Sequence, residues 1–183
     1  MKKLITSLLL LMAGVMVVQA RVWFDGTTLG SASKTFNSAT NSIIKSGTVV
    51  WDGSSSTLTL NNVLIEVPEP SENVYSSLIL NEDISGMIIQ VSGACTITTK
   101  AHSVLSSSKQ VYFRGSNTAT RLTIKDERTS DRGMLYRGAI NVTDGYIYFN
   151  RIDCNITSSN GVCVYVWRQH RSQQHDLSEH LFP

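Results

Sequence analysis

Three observations predict an all-β chain, built as a parallel β-solenoid (β-helix) of about four to five coils behind an N-terminal hairpin cap. Val, Ile and Thr number 16, 14 and 17, against only eight Ala and six Glu. β-branched side chains fit a pleated surface better than a helix, so a helical bundle is disfavoured. Ser, Thr and Asn together make 52 of the 183 residues, the material of turns and polar strand faces. Finally, a strand–corner–strand phrase recurs along the chain, which an antiparallel sandwich has no reason to repeat.

The chain opens with Met1-Lys2-Lys3, an apolar run from Leu4 to Val18, and small residues at Val18-Gln19-Ala20. That run is short for a bilayer span of roughly 20 residues. Residues 1–20 therefore read as a cleaved secretory signal, and no later segment is apolar enough to span a membrane. The formal charge of +2 belongs to Lys2 and Lys3, because twelve Lys and Arg balance twelve Asp and Glu between Arg21 and Val166. Such a neutral chain lacks the electrostatic footprint of a nucleic-acid binder, while a charged fraction of only 16% argues against disorder.

Residues 21–57 read as the cap. Asp25-Gly26 is a hairpin signal between Val22-Trp23-Phe24 and Thr27-Thr28-Leu29, and a second hairpin is expected between Gly47–Trp51 and Thr57–Leu60. Such a cap covers an edge that would otherwise pair with other chains.

Residues 58–166 carry the repeats. Leu58-Thr59-Leu60-Asn61-Asn62-Val63-Leu64-Ile65-Glu66-Val67 alternates, turns a two-residue corner and alternates again. Ile147-Tyr148-Phe149-Asn150-Arg151-Ile152-Asp153-Cys154-Asn155-Ile156 repeats the pattern, and looser copies begin at Ile89 and Val111. Period two places alternate side chains on one face, so the apolar members line an interior. Ser, Thr and Asn are then expected at the corners and on outer faces.

Residues 167–183 form an irregular tail. They contain no Val, Ile, Thr or Gly, and they hold His170, His175 and His180 at five-residue intervals. On a helix those three would not share a face, so a metal site is not implied. Truncated or out-of-frame sequence is the sharper reading, an unstructured end the blander one.

Ser46-Gly47-Thr48-Val49 through Thr57-Leu58-Thr59-Leu60-Asn61-Asn62-Val63 resembles the recurrent opening of secreted repeat proteins of gut and oral Bacteroidota, of the carbohydrate-binding-domain and pectate-lyase-like β-helix types. Arg121-Leu122-Thr123-Ile124-Lys125 is similar to their repeated strand. The resemblance covers roughly residues 22 to 166 and implies a right-handed β-helix at a cell envelope. It carries over no catalytic residue, and Trp167 to Pro183 does not match it.

Chemistry is sparse in this sequence. Cys95 and Cys154 fall on inward positions of their repeats, where a thiol acts as a small hydrophobe, and Cys163 follows later. A disulfide between two of the three is the alternative in an exported protein. Their spacing lacks the close pairs of a zinc site, and no phosphate loop or nucleophile elbow occurs, so neither metal nor cofactor is expected. Asp126, Glu127 and Asp131 could serve a glycosidase or lyase, but they alternate with Lys125, Arg128 and Arg132 in what reads as a solvated, mutually paired loop.

A ligand-binding face is better motivated. If Leu58, Ile89, Val111 and Ile147 stack inward, then Thr59, Gln90, Tyr112 and Tyr148 point outward in one row, followed by Asn61, Ser92, Arg114 and Asn150 in the next. With Tyr146, the candidate residues Gln90, Tyr112, Arg114, Tyr146, Tyr148 and Asn150 form an aromatic strip edged by polar donors. Such a strip suits glycans, because ring faces pack on sugar C–H edges while polar neighbours bind hydroxyls. The expected function is a non-catalytic glycan-binding or adhesion module; a carbohydrate-active enzyme or a structural stalk are the alternatives.

Overall fold

A computed structural model describes residues 21–69, 77–128, 138–159 and 161–167. The predicted signal (1–20), Asp131, Arg132 and the tail beyond Trp167 lie outside the described residues. Among the described residues every helix or strand element is a strand, as expected of an all-β chain.

The N-terminal hairpins form where their turn chemistry places them. β1 (Val22–Phe24) and β2 (Thr27–Leu29) pair antiparallel about Asp25-Gly26, whose φ angles of 46° and 70° suit a primed hairpin turn. β3 (Lys34–Phe36), β4 (Ile44–Asp52) and β5 (Thr57–Val67) make a second antiparallel set, with Val49 opposite Leu60 and Trp51 opposite Leu58. Trp51 is buried because its indole N–H has a partner, donating to Gly30 O at 2.7 Å.

Pairing changes from antiparallel to parallel at β5. Its residues 57–61 pair with β7 (Met87–Ser92) and its residues 64–67 with β8 (Ala94–Thr99). Beyond β5, successive repeats feed three parallel ladders. The first continues from β7 to β10 (Val111–Gly115) and β13 (Ile147–Asn150). The second runs from β8 to β11 (Arg121–Asp126) and β14 (Asp153–Ser158). The third takes β6 (Ile79–Asn81), β9 (Leu105–Ser107), β12 (Ile140–Val142) and β15 (Val164–Val166). β5 joins the first two ladders into a nine-stranded sheet that curls like a half-barrel; the third belongs to a six-stranded sheet with β1 and β2.

The corner between the first two ladders is a backbone device. Asn62, Gly93 and Arg151 all adopt left-handed φ, at 45°, 71° and 53°. A Cβ on Gly93 would overlap the Asn62 side chain, whose Oδ1 accepts the Ala94 N–H at 3.3 Å. Glycine there takes the left-handed φ without strain and leaves room for the Asn62 side chain. The two-residue corners expected at Asn61-Asn62 and Asn150-Arg151 thus lie where the phrase placed them.

Burial alternates along the ladders: Met87, Ile89 and Val91 in β7, Val111 and Phe113 in β10, and Leu122 and Ile124 in β11 are all inside. Each such side chain contributes about 1.5–3 kcal/mol relative to exposure. The register departs from expectation in one respect. Leu58 does pair with Ile89, but Val111 pairs with Met87, placing Phe113 beside Ile89. A slip of two residues leaves every side chain on its original face, so alternation cannot detect it.

The third ladder corrects a second expectation. Ser77, Asn81, Ser103, Ser106, Ser107 and Asn141 are buried rather than at the surface. They satisfy one another and the backbone: Ser77 Oγ lies 2.7 Å from both Ser103 Oγ and Ser106 Oγ, and Asn81 Nδ2 donates to Ile84 O and Ser107 Oγ. Buried polar groups persist only when paired in this way.

Candidate functional site

The outward face of the first ladder carries the candidate aromatic strip. Because β10 and β13 run parallel and in register, Tyr112 lies beside Tyr148 and Arg114 beside Asn150. The two tyrosine rings stack with centroids 4.8 Å apart and planes 10° from parallel. Tyr146, just before β13, sets its ring 6.2 Å from that of Tyr148 at 49°. Tyr146 and Tyr148 are both exposed, while Tyr112 is half-buried.

The two-residue slip rearranges the rows. Gln90 falls beside Arg114, not beside Tyr112, giving a polar row of Thr59, Gln90, Arg114 and Asn150. Tyr112 instead neighbours Ile88, so the aromatic row is Thr57, Ile88, Tyr112 and Tyr148. Asn61 and Ser92 pair with each other one step further along, apart from Arg114 and Asn150. The strip is thus a ring platform with a half-exposed isoleucine at one end and a parallel border of amides and a guanidinium. Ile88 had no signal in the sequence, since only the register brings it under Tyr112.

The charged stretch is not uniformly solvated. Asp126 is buried and binds Arg128 bidentately: Nε donates to Oδ1 at 2.7 Å and Nη2 to Oδ2 at 2.6 Å. Ser158 Oγ donates to the same carboxylate at 3.0 Å, and Arg128 Nη2 also donates to Gly138 O. Asp126 is thereby committed to structure. Glu127 is exposed, and Asp131 is outside the described residues.

Glu127 borders a cleft of about 540 Å³ that the sequence did not suggest, lined also by Lys45, Glu66, Val67, Thr98 and Lys100. Pairing alone assembles it: the Glu66 N–H donates to Ile43 O, and the Lys100 N–H to Val67 O. Lys45 Nζ donates to Ser42 O at 2.9 Å.

All three cysteines are free. Cys95, Leu122 and Cys154 occupy one inward row, with Leu122 between the thiols. Two strand spacings of about 4.8 Å separate their backbones, beyond the reach of a disulfide. Burial pushes the Cys95 thiol up; burial, with the nearby Asp153 charge, pushes Cys154 up to about 11. Among the described residues, no group of three or more His, Cys, Asp or Glu is placed to hold a metal ion, and no helix is long and apolar enough to cross a membrane. No protein-family model, curated protein or solved structure matches this chain.

Proposed function

We propose that this chain is a secreted or cell-envelope glycan-binding or adhesion module, acting without catalysis, on a right-handed parallel β-helix. Three parallel ladders, each taking one strand per repeat, support the β-helix reading. So does the resemblance to secreted Bacteroidota repeat proteins.

The observation that carries the binding reading is the stack of exposed Tyr148 on half-buried Tyr112, bordered by Gln90, Arg114 and Asn150. Rings stacked face to face leave their edges and outer faces for contact with the C–H groups of a sugar. The bordering amides offer donors and acceptors, and Arg114 donors alone, for hydroxyl or carboxylate substituents. The polar row of Thr59, Gln90, Arg114 and Asn150 crosses four strands about 4.8 Å apart, which suits a polymer better than a small molecule.

A glycan array probed with the wild-type chain and a Tyr112→Ala/Tyr148→Ala variant tests this. Binding that disappears in the folded variant supports the platform; undiminished binding rejects it. Release of reducing ends or unsaturated products from bound polysaccharides would reject the non-catalytic reading and turn attention to Glu66 and Glu127 in the cleft.

A further inference from the structure

We infer that the fold carries a receptor for a new chain terminus: hydrolysis of the Ala20–Arg21 peptide bond frees an α-ammonium on Arg21, and the Asp83 carboxylate holds it. Such a terminus arises only if the chain is exported, so this rests on the secreted reading and not on the glycan one. In the cleavage, water adds to the Ala20 carbonyl and the C–N bond breaks. Ala20 leaves as a carboxylate, and the Arg21 nitrogen takes up a proton. The catalyst is a peptidase of the export machinery, which reads the small residues at Val18 and Ala20.

Arg21 is fastened through its backbone and its side chain alike. Its backbone N–H donates to Asp83 Oδ2 at 3.0 Å, and its carbonyl accepts the Glu82 N–H at 3.0 Å. The guanidinium reaches the same two residues. Nε donates to Asp83 Oδ2 at 3.1 Å, Nη2 donates to Asp83 Oδ1 at 3.3 Å, and Nη1 lies 3.0 Å from Glu82 Oε2. The next residue, Val22, is fully buried and sits opposite Asn81 in the β1–β6 pair. Chain ends are poorly ordered unless tied down, and position 21 is tied to a carboxylate 62 residues away.

The charges around Arg21 balance only once the bond is cut. Glu82 and Asp83 present two carboxylates to one guanidinium. The Arg21 donors hold the Asp83 carboxyl below its usual range, while Lys109, the other cation acting on it, is the weakest influence. A freed α-amine is protonated at neutral pH, since its ordinary pKa is about 7.7–8.0. Two cations then meet two carboxylates, and the N–H contact to Asp83 Oδ2 becomes an ion pair as well as a hydrogen bond. A cut one residue later would discard Arg21 and all of these contacts. A cut further upstream leaves the Arg21 nitrogen an uncharged amide.

The test uses the full chain, exported by a bacterial host from its own first 20 residues and read by N-terminal sequencing. The α-amine is then acylated with a succinimidyl ester at about pH 7, and peptide mass spectrometry follows its rate in native protein and in urea. A terminus at Arg21 is expected. Its native rate is expected to be about tenfold below the rate in urea, because only the unprotonated amine reacts and Asp83 keeps the proton on. Asp83→Asn, or Asp83→Ser should the former not fold, is expected to bring the native rate close to that in urea. An exported protein that begins at another residue overturns the inference and leaves the secreted reading standing. A terminus at Arg21 that reacts as fast in native protein as in urea, or that stays slow in the folded Asp83 variants, removes Asp83 as the receptor and overturns it too. A precursor that is never exported overturns it together with the secreted reading.

Discussion

Asp126 and Arg128, two residues apart at the end of β11, close a buried bidentate ion pair that ties the second ladder to Gly138 and, through Ser158, to β14. Removing one partner leaves the other charge buried without its counter-ion, at a cost of about 3–5 kcal/mol. Asp126→Ala and Arg128→Met are each expected to lose about that much in urea unfolding. The double variant is expected to lose less than the sum, because no orphaned charge remains. Additive losses would show that the pair does not act as a unit.

The Gly93 corner offers a test of backbone geometry. Gly93→Ala forces a Cβ onto left-handed φ and into the Asn62 side chain, so a loss of about 1–3 kcal/mol is expected. Adding Asn62→Gly removes the overlap and is expected to restore part of the loss in the same unfolding experiment. If Asn62→Gly only adds to the damage, the contact between the two corners is not the cause.

His102 links stability to acid. Its Nδ1 lies 3.2 Å from Ser103 O, and burial lowers its pKa, with Arg128 acting in the same direction and the Ser103 carbonyl and Asp25 opposing. The unfolded chain then binds the proton more readily than the folded one. Its contribution is therefore present above the ordinary histidine value of about 6.5 and is lost as pH falls through the lower folded value. Thermal melts at about pH 7.5 and about pH 5.5 are expected to differ less in His102→Gln than in wild type. An identical pH dependence would remove His102 from the account.

The Cys154 thiol runs the opposite way. With its pKa pushed up to about 11, the folded state favours the protonated thiol. That stabilisation is complete below the ordinary thiol value and is lost as pH rises through about 11. At low protein concentration, the alkylation rate of Cys154 is expected to climb about tenfold per pH unit from pH 8 towards 11 before levelling off. A plateau reached near an ordinary thiol value would contradict the burial seen for this side chain.

Much of the architecture was legible because strand chemistry is local. The Asp25-Gly26 hairpin, the alternation of Leu58 and Leu60, and the corners at Asn62 and Arg151 follow from preferences of one to four residues. The inward position of Cys95 was read from the same alternation. Of the candidate site, the shared outward face of Tyr112, Tyr148, Arg114 and Asn150 was legible, because period two separates inside from outside.

Register, closure and burial of polar groups were decided only in three dimensions. A two-residue slip preserves every face, so alternation was silent about whether Gln90 would meet Tyr112 or Arg114; the pairing chose Arg114. The burial of Asn81, Ser107 and Asp126 depends on hydrogen-bond partners from other strands and loops, and no local pattern announces them. The cleft beside Lys45 and Glu127 likewise exists because ends of distant strands meet. Local alternation sorts side chains into two faces, but contacts between chain-distant strands determine which neighbours each face acquires.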